Sequence, residues 1–271
     1  MDSPDHPEMH FPLKDDAFLA TADARPLRLL AEYLEPLHQL RREGVHDTVV
    51  FFGSARLRED GPEGRYYQEA RTLARQLTEW STALPCTSER FVVCSGGGPG
   101  IMEAANRGAA DAKGKTIGFN IGLPFEQRPN PFITPALNFE FHYFFMRKFW
   151  FAHLARALVV FPGGLGTLNE LSEILMLSQT RKIKRRIFIL LYGTSFWKDV
   201  LNFDSLVKHG MIDPSDLDLF QTADDPERAF TLLRDHLASH CLPESGVETP
   251  AIAASTHPQD SDPLGGSDAP Q

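Results

Sequence analysis

The chain is poor in cysteine: it has three in 271 residues, Cys86, Cys94 and Cys241. With neither Cys-x-x-Cys spacing nor an even count, they argue against a zinc site and a disulfide framework and favour a reducing, cytoplasmic setting. Long apolar runs are missing too. No stretch approaches the roughly 20 residues that cross a bilayer, and the acidic start Met1-Asp2-Ser3-Pro4-Asp5 lacks the basic-then-apolar order of a secretory leader. Positive charge is in deficit, with 27 Lys and Arg against 36 Asp and Glu and a net charge of -9. A general nucleic-acid surface is therefore excluded, and an anionic ligand would have to be held by a few local donors. The expectation is a soluble protein with neither nucleic acid nor membrane as partner.

Two common nucleotide signatures are also absent. A dinucleotide fingerprint G-x-G-x-x-G begun at Gly96 would need glycine where Ile101 stands, and one begun at Gly164 would need it at Asn169. The acidic residue that holds a ribose diol is missing as well: Phe119-Asn120 follows the first loop and Leu191-Tyr192 the second. Neither loop ends in the Gly-Lys-Ser/Thr of a Walker A motif. These gaps disfavour NAD and P-loop ATP hydrolysis.

What is present is a pair of glycine-rich loops, each after an apolar run: Ser95-Gly96-Gly97-Gly98-Pro99-Gly100 and Phe161-Pro162-Gly163-Gly164-Leu165-Gly166-Thr167. Glycine lets backbone approach an anion closely, and a helix starting next presents unpaired N–H groups and the positive end of its dipole. Two such loops fit one nucleotide-sized ligand. Each also has a purely structural reading. The first can be a tight turn, and Thr167-Leu168-Asn169-Glu170 has the form of a capping box, with Glu170 reaching back to the N–H of Thr167.

With 42% hydrophobic residues the chain can bury one sizeable core. Continuous apolar runs at 48–52, 91–94, 116–119, 157–161 and 187–191 read as parallel strands covered on both faces. Helical stretches fall between and after them, at 66–84, 101–113, 144–155, 168–180 and 226–237. The fold class expected is α/β, a Rossmann-like doubly wound parallel sheet with helices on both faces, preceded by an N-terminal helix. The domain reading is a disordered 1–14, a helical extension over 15–44, a nucleotide-binding domain over 45–240 and a disordered tail over 241–271. The extension rests on Leu27, Leu30, Leu34, Leu37 and Leu40, whose steps of three and four residues give one amphipathic helix for the core or for a partner. The tail rests on its Pro, Ser, Gly, Thr and Asp content. In such a sheet ligands bind beyond the carboxyl ends of the strands, where Gly53-Ser54-Ala55-Arg56, the first glycine loop, Asn120 and Pro162 to Thr167 fall.

The motif Pro162-Gly163-Gly164-Leu165-Gly166-Thr167-Leu168-Asn169-Glu170 resembles the PGGxGTxxE signature of the LOG (Lonely Guy) family, and Met146-Arg147-Lys148 resembles that family's Arg-Lys pair. Gly96 to Asn106 is similar to the first glycine loop of its relatives, and the likeness spans about Val49 to Leu191. The resemblance implies a nucleoside 5'-monophosphate phosphoribohydrolase, which cleaves the N-glycosidic bond with water to give free base and ribose 5-phosphate. The nucleotide would be AMP or a cytokinin riboside monophosphate. Family members often carry the label lysine decarboxylase, but no Ser-x-His-Lys-type site for pyridoxal phosphate is present.

Carried over residue by residue, the resemblance makes Arg147 and Glu170 the catalytic pair. Breaking the bond builds positive charge on the ribose and negative charge on the departing base, and a cation and a carboxylate each stabilise one part. The 5'-phosphate would sit on the N–H groups of Gly163, Gly164 and Gly166 and the Thr167 hydroxyl. Gly97 and Gly98 would close the site, with Lys148, Ser54 and Asn120 as further substrate-binding candidates. No metal and no cofactor is expected. Arg147 and Lys148 lie among Phe144, Phe145, Phe149, Trp150 and Phe151, so they also fit as cations that merely snorkel from a buried helix. The basic run 182–186 reads as a solvated turn, with a minor part in attracting phosphate. Family members are commonly dimers or larger, and the aromatic 144–151 stretch suits such an interface. The N-terminal helix, the Pro-rich insertion 123–137 and the C-terminal tail depart from the compact family pattern. The alternative function is a non-catalytic nucleotide or molybdenum-cofactor carrier.

Overall fold

A computed structural model describes residues 11–86, 88–122, 128–183 and 185–242. The chain forms α1 (Asp16–Leu19), α2 (Arg25–Arg42), β1 (Thr48–Phe52), α3 (Gly64–Thr82), β2 (Val92–Ser95), α4 (Ile101–Asp111) and β3 (Thr116–Ile121). There follow β4 (Asn138–Phe141), α5 (Phe144–Leu154), β5 (Ala155–Val160), α6 (Leu165–Gln179) and β6 (Phe188–Tyr192). The chain closes with α7 (Thr194–Val200), α8 (Phe203–Lys208), β7 (Phe220–Ala223) and α9 (Pro226–Cys241).

Among the described residues the seven strands are all parallel, in the order β4-β3-β2-β1-β5-β6-β7. Side chains alternate across a strand, so β1 divides its buried residues between two cores. Val49 and Phe51 join the core under α3, α4 and α9, while Val50 and Phe52 join the core under α2, α5, α6 and α7. Both faces are covered, which is why the strands read as continuous apolar runs.

The order reverses between β1 and β5. From β1 the chain winds outward through β2, β3 and β4, then returns to lay β5 on the other side of β1. The loops beyond the carboxyl ends of β1 and β5 therefore diverge and open a crevice. They stay tied at its base, where Ser54 N–H donates to the Pro162 carbonyl at 3.0 Å and Ile101 N–H donates to the Ser54 carbonyl at 3.1 Å.

Four sequence expectations change. Two edge strands had no apolar run to betray them: β4 alternates exposed Asn138 and Glu140 with buried Phe139 and Phe141, and β7 is short, with only Ala223 buried. The insertion 123–137 therefore leads into the sheet; its residues 123–127 lie outside the described residues. In the N-terminal segment Pro12–Lys14 forms a 3-10 turn, so order begins within the stretch read as disordered, whose residues 1–10 lie outside the described ones. At the other end α9 runs to Cys241, and the tail from 243 lies outside the described residues. Finally, only part of the α2 leucine stripe meets the core: Leu40 is buried and Leu37 packs against it, whereas Leu27, Leu30 and Leu34 are exposed.

Candidate active site

The crevice is a cavity of about 710 Å³. Its walls come from the loop after β1 (Ser54, Arg56), from Gly96 after β2, from Asn120 on β3, from Phe144 and Arg147 on α5, from Gly164 just before α6, and from Leu165 to Thr167 and Glu170 on α6. Helix α6 begins at Leu165, so its first-turn N–H groups have no intrahelical acceptor and point toward this space. A Cβ built on Gly164 or Gly166 would meet no protein atom within 4 Å. Glycine at these positions leaves the backbone open to a ligand instead of relieving a clash. Gly163 differs, since a side chain there would collide with Thr167, and its place is in the packing of the turn.

The capping-box reading is overturned. The N-cap of α6 is Gly164, no side chain caps the helix, and Thr167 lies buried inside the first turn. Glu170, one turn further on, faces Arg147 across the gap between α5 and α6. Arg147 Nη2 donates to Glu170 Oε1 at 3.1 Å, with both side chains 13% exposed. The Arg147 guanidinium lies over the Phe144 and Phe151 rings at 5.4 and 5.6 Å. It does not snorkel to solvent, and its buried Nε has no partner among the described residues.

Burial pushes the Glu170 carboxyl up to about 7, with Glu173 adding to the rise and Arg147 and Lys148 opposing it. Burial also lowers the Arg147 pKa, against the pull of Glu170. A carboxyl that titrates near neutrality beside a cavity can exchange a proton or carry charge at ordinary pH.

Of the residues singled out in the sequence, Ser54, Asn120, Gly164, Gly166, Thr167, Arg147 and Glu170 converge on one cavity. Gly97, Gly98, Gly163 and Lys148 do not line it. Lys148 also reaches α6 but away from the cavity, where its Nζ lies 2.8 Å from Glu173 Oε2 and donates to Asn169 Oδ1 at 3.0 Å. Gly97 and Gly98 act behind the wall: Asn130 Nδ2 donates to their carbonyls at 3.0 and 3.2 Å. Gly97, at φ +74°, fits against Asn120 where a side chain would collide. Asn130 belongs to a buried network with Asn106, Ser95 and Thr116 that holds the first glycine loop in shape. Of the basic run 182–186, the described Lys182, Arg185 and Arg186 precede β6 and so sit at the amino-terminal edge of the sheet, away from the cradle.

Sequence reasoning missed Arg56, Met102, Ile121 and Phe144 as lining residues. Arg56 carried a signal, since it stands three residues after Gly53 in a loop already placed at the right edge. The other three are apolar, and nothing in their sequence context separates a cavity wall from a core.

Among the described residues no group of three or more His, Cys, Asp or Glu is placed to hold a metal ion. No lysine lines the cavity, so pyridoxal phosphate would find no amine there for a Schiff base. No helix of the described residues is long and apolar enough to cross a membrane.

Comparison with known proteins adds context. A family model described as "Possible lysine decarboxylase" matches residues 102–233. The chain is 28% identical over 200 residues to a protein of Oryza sativa subsp. japonica named "Probable cytokinin riboside 5'-monophosphate phosphoribohydrolase", covering 73% of this chain and 80% of that one. A structural-genomics X-ray structure shares the fold at TM-score 0.50 and 21% identity, over 70% of this chain and 99% of its own. The molybdenum cofactor carrier protein of Chlamydomonas reinhardtii superposes at TM-score 0.48 and 21% identity, over 71% of this chain and 99% of its own.

Proposed function

We propose, from the premise that this chain belongs to the LOG family, that it hydrolyses the N-glycosidic bond of nucleoside 5'-monophosphates, of AMP or cytokinin riboside monophosphate type. The observation that carries the reading is the Arg147–Glu170 pair, held half-satisfied at the wall of a 710 Å³ cavity beside an open helix N-terminus. The α6 N–H groups of Leu165, Gly166 and Thr167 would take the 5'-phosphate, which fixes the ribose over Glu170. As the C1'–N bond breaks, the Glu170 carboxylate stabilises the positive charge growing on the ribose. Water oxygen bonds to C1', and a water proton goes to the leaving nitrogen of the base. Arg147, with Nε unpartnered among the described residues, has a donor to spare for negative charge on the nucleotide. A carrier needs no such carboxylate beside a bound anion, and this favours hydrolysis over the carrier reading.

The three cysteines are free, which supports a reducing, cytoplasmic setting. Exposed Phe144, Phe145 and Phe149 on α5 support a homo-oligomer, testable by light scattering on the purified chain. To test the activity, the protein is incubated with purine and pyrimidine 5'-monophosphates and with the matching nucleosides, and free base is separated by chromatography. Release from monophosphates alone is the expected result. Tight nucleotide binding with no release from any of them would replace this reading with the carrier.

A further inference from the structure

The cations before β6 have no part in the cavity just described. All strands are parallel, so the loop that enters β6 lies at the amino-terminal edge of the sheet, opposite the cradle. There it borders a second pocket of about 340 Å³, whose wall includes Arg181, Arg185, Arg186, Phe188, Gln221 and His236. The one carboxylate on that wall is Asp218.

Three features set this pocket apart from an ordinary solvated turn. Arg181, Arg185 and Arg186 enter no ion pair or side-chain hydrogen bond among the described residues. Arg185 is half-buried near a like charge, and its guanidinium is pulled down by burial and by Arg156, with Asp47 opposing. Asp47 is already occupied, since it accepts two bonds from Arg90 and one from the Phe91 N–H. The cations are thus held together without enough acid to neutralise them.

The third feature is His236 on α9. Its ring stacks between Phe188 at 4.8 Å and His240 at 4.5 Å, and its buried Nε2 has no partner among the described residues. Burial, helped by His240 and Arg186, pushes this imidazole down to about 4, so it is neutral at ordinary pH and its ring N–H is available as a donor. Guanidiniums bind phosphoryl oxygens in bidentate fashion, and a buried unsatisfied polar atom is stabilised by any ligand that supplies its hydrogen bond.

We propose that this pocket is a second anion site, independent of the cradle, which binds a compact phosphorylated ligand through Arg181, Arg185, Arg186 and His236. The volume suits a phosphoryl group on a small body.

The test is isothermal titration of the full chain with inorganic pyrophosphate as probe. Three variants are compared with the wild type: Arg186→Glu, His236→Phe and Thr167→Val. Arg186 is exposed and unpaired, so its reversal leaves the core alone, and phenylalanine at 236 keeps the stack while removing Nε2. Saturable binding is expected, weakened at least ten-fold by Arg186→Glu and by His236→Phe and unchanged by Thr167→Val. Absence of saturable binding would overturn the proposal. So would binding that both pocket variants leave intact, or binding lost in Thr167→Val, which would place the probe in the cradle.

Discussion

The two edges of one sheet use the same pair of chemical groups to opposite ends. At the amino-terminal edge Asp47 is wholly buried against Arg90, with Arg90 Nη2 at 2.8 Å and Nε at 3.1 Å from its Oδ2 and the Phe91 N–H at 2.7 Å from its Oδ1. His46 adds a contact at 3.2 Å and Arg156 another at 3.4 Å. Burial alone would raise its pKa, but the hydrogen bonds from His46, Arg90 and Phe91 together hold it below the ordinary value. At the carboxyl-terminal edge Glu170 has a single hydrogen bond among the described residues, from Arg147, and burial dominates, raising its pKa. The difference lies in saturation. A buried carboxylate whose oxygens are all engaged holds the fold together, whereas one left half-engaged beside a cavity has bonding capacity for a substrate.

The largest effect is expected from breaking the saturated pair. Asp47→Ala leaves Arg90 buried without its acid, which costs about 3–5 kcal/mol of stability, read as a shift in the urea midpoint. Little change there would remove the contrast between the edges. At the other edge Glu170→Gln should lower base release by about 10²–10³-fold while nucleotide binding stays within a few-fold. Retained turnover, or loss of folding, would make Glu170 a structural residue like Asp47.

The two acids also predict opposite pH slopes. Because the folded-state pKa of Glu170 lies above its unfolded value of 4.5, its contribution is full below 4.5 and is lost as pH rises through about 7. Relative to Glu170→Gln, the wild type should lose about 3 kcal/mol between pH 4 and 8. The depressed Asp47 behaves in reverse, contributing above its unfolded value of 3.8 and losing that contribution as pH falls. Paired denaturation curves at pH 4, 6 and 8 test Glu170 and curves carried down to pH 2 test Asp47, and parallel curves for Glu170→Gln and wild type would contradict the assignment. If Glu170 works as a carboxylate, base release should rise through pH 7 and level off above it. The smallest effect concerns the wall behind the cavity: Asn130→Ala removes the bonds to Gly97, Gly98 and Asn106 and should cost about 1–3 kcal/mol, with a raised KM as the first glycine loop loosens.

Most of the sheet was legible because a strand covered on both faces is apolar along most of its length, as the consecutive apolar residues in β1, β2, β3, β5 and β6 show. The edge strands β4 and β7 were not, since an edge needs only one buried face and β7 scarcely has that. Within the site, glycines at 164 and 166, Thr167 and the Arg147 and Glu170 side chains were readable from motif and placement. That Arg147 meets Glu170 while Lys148 takes Asn169 and Glu173 was not, because adjacent residues on a helix lie about 100° apart and only the position of α6 decides which partner each one reaches.

Sequence alone determined that the chain winds into a parallel α/β sheet with two glycine loops at one edge, because hydrophobic periodicity and glycine spacing are local properties of the chain. Tertiary structure alone decided that Thr167-x-x-Glu170 is no capping box, that Asn130 braces the first loop, and that the basic run faces away from the cradle. Each of these depends on which groups from distant segments come within hydrogen-bond reach, and such distances exist only once β5 has returned to lie beside β1.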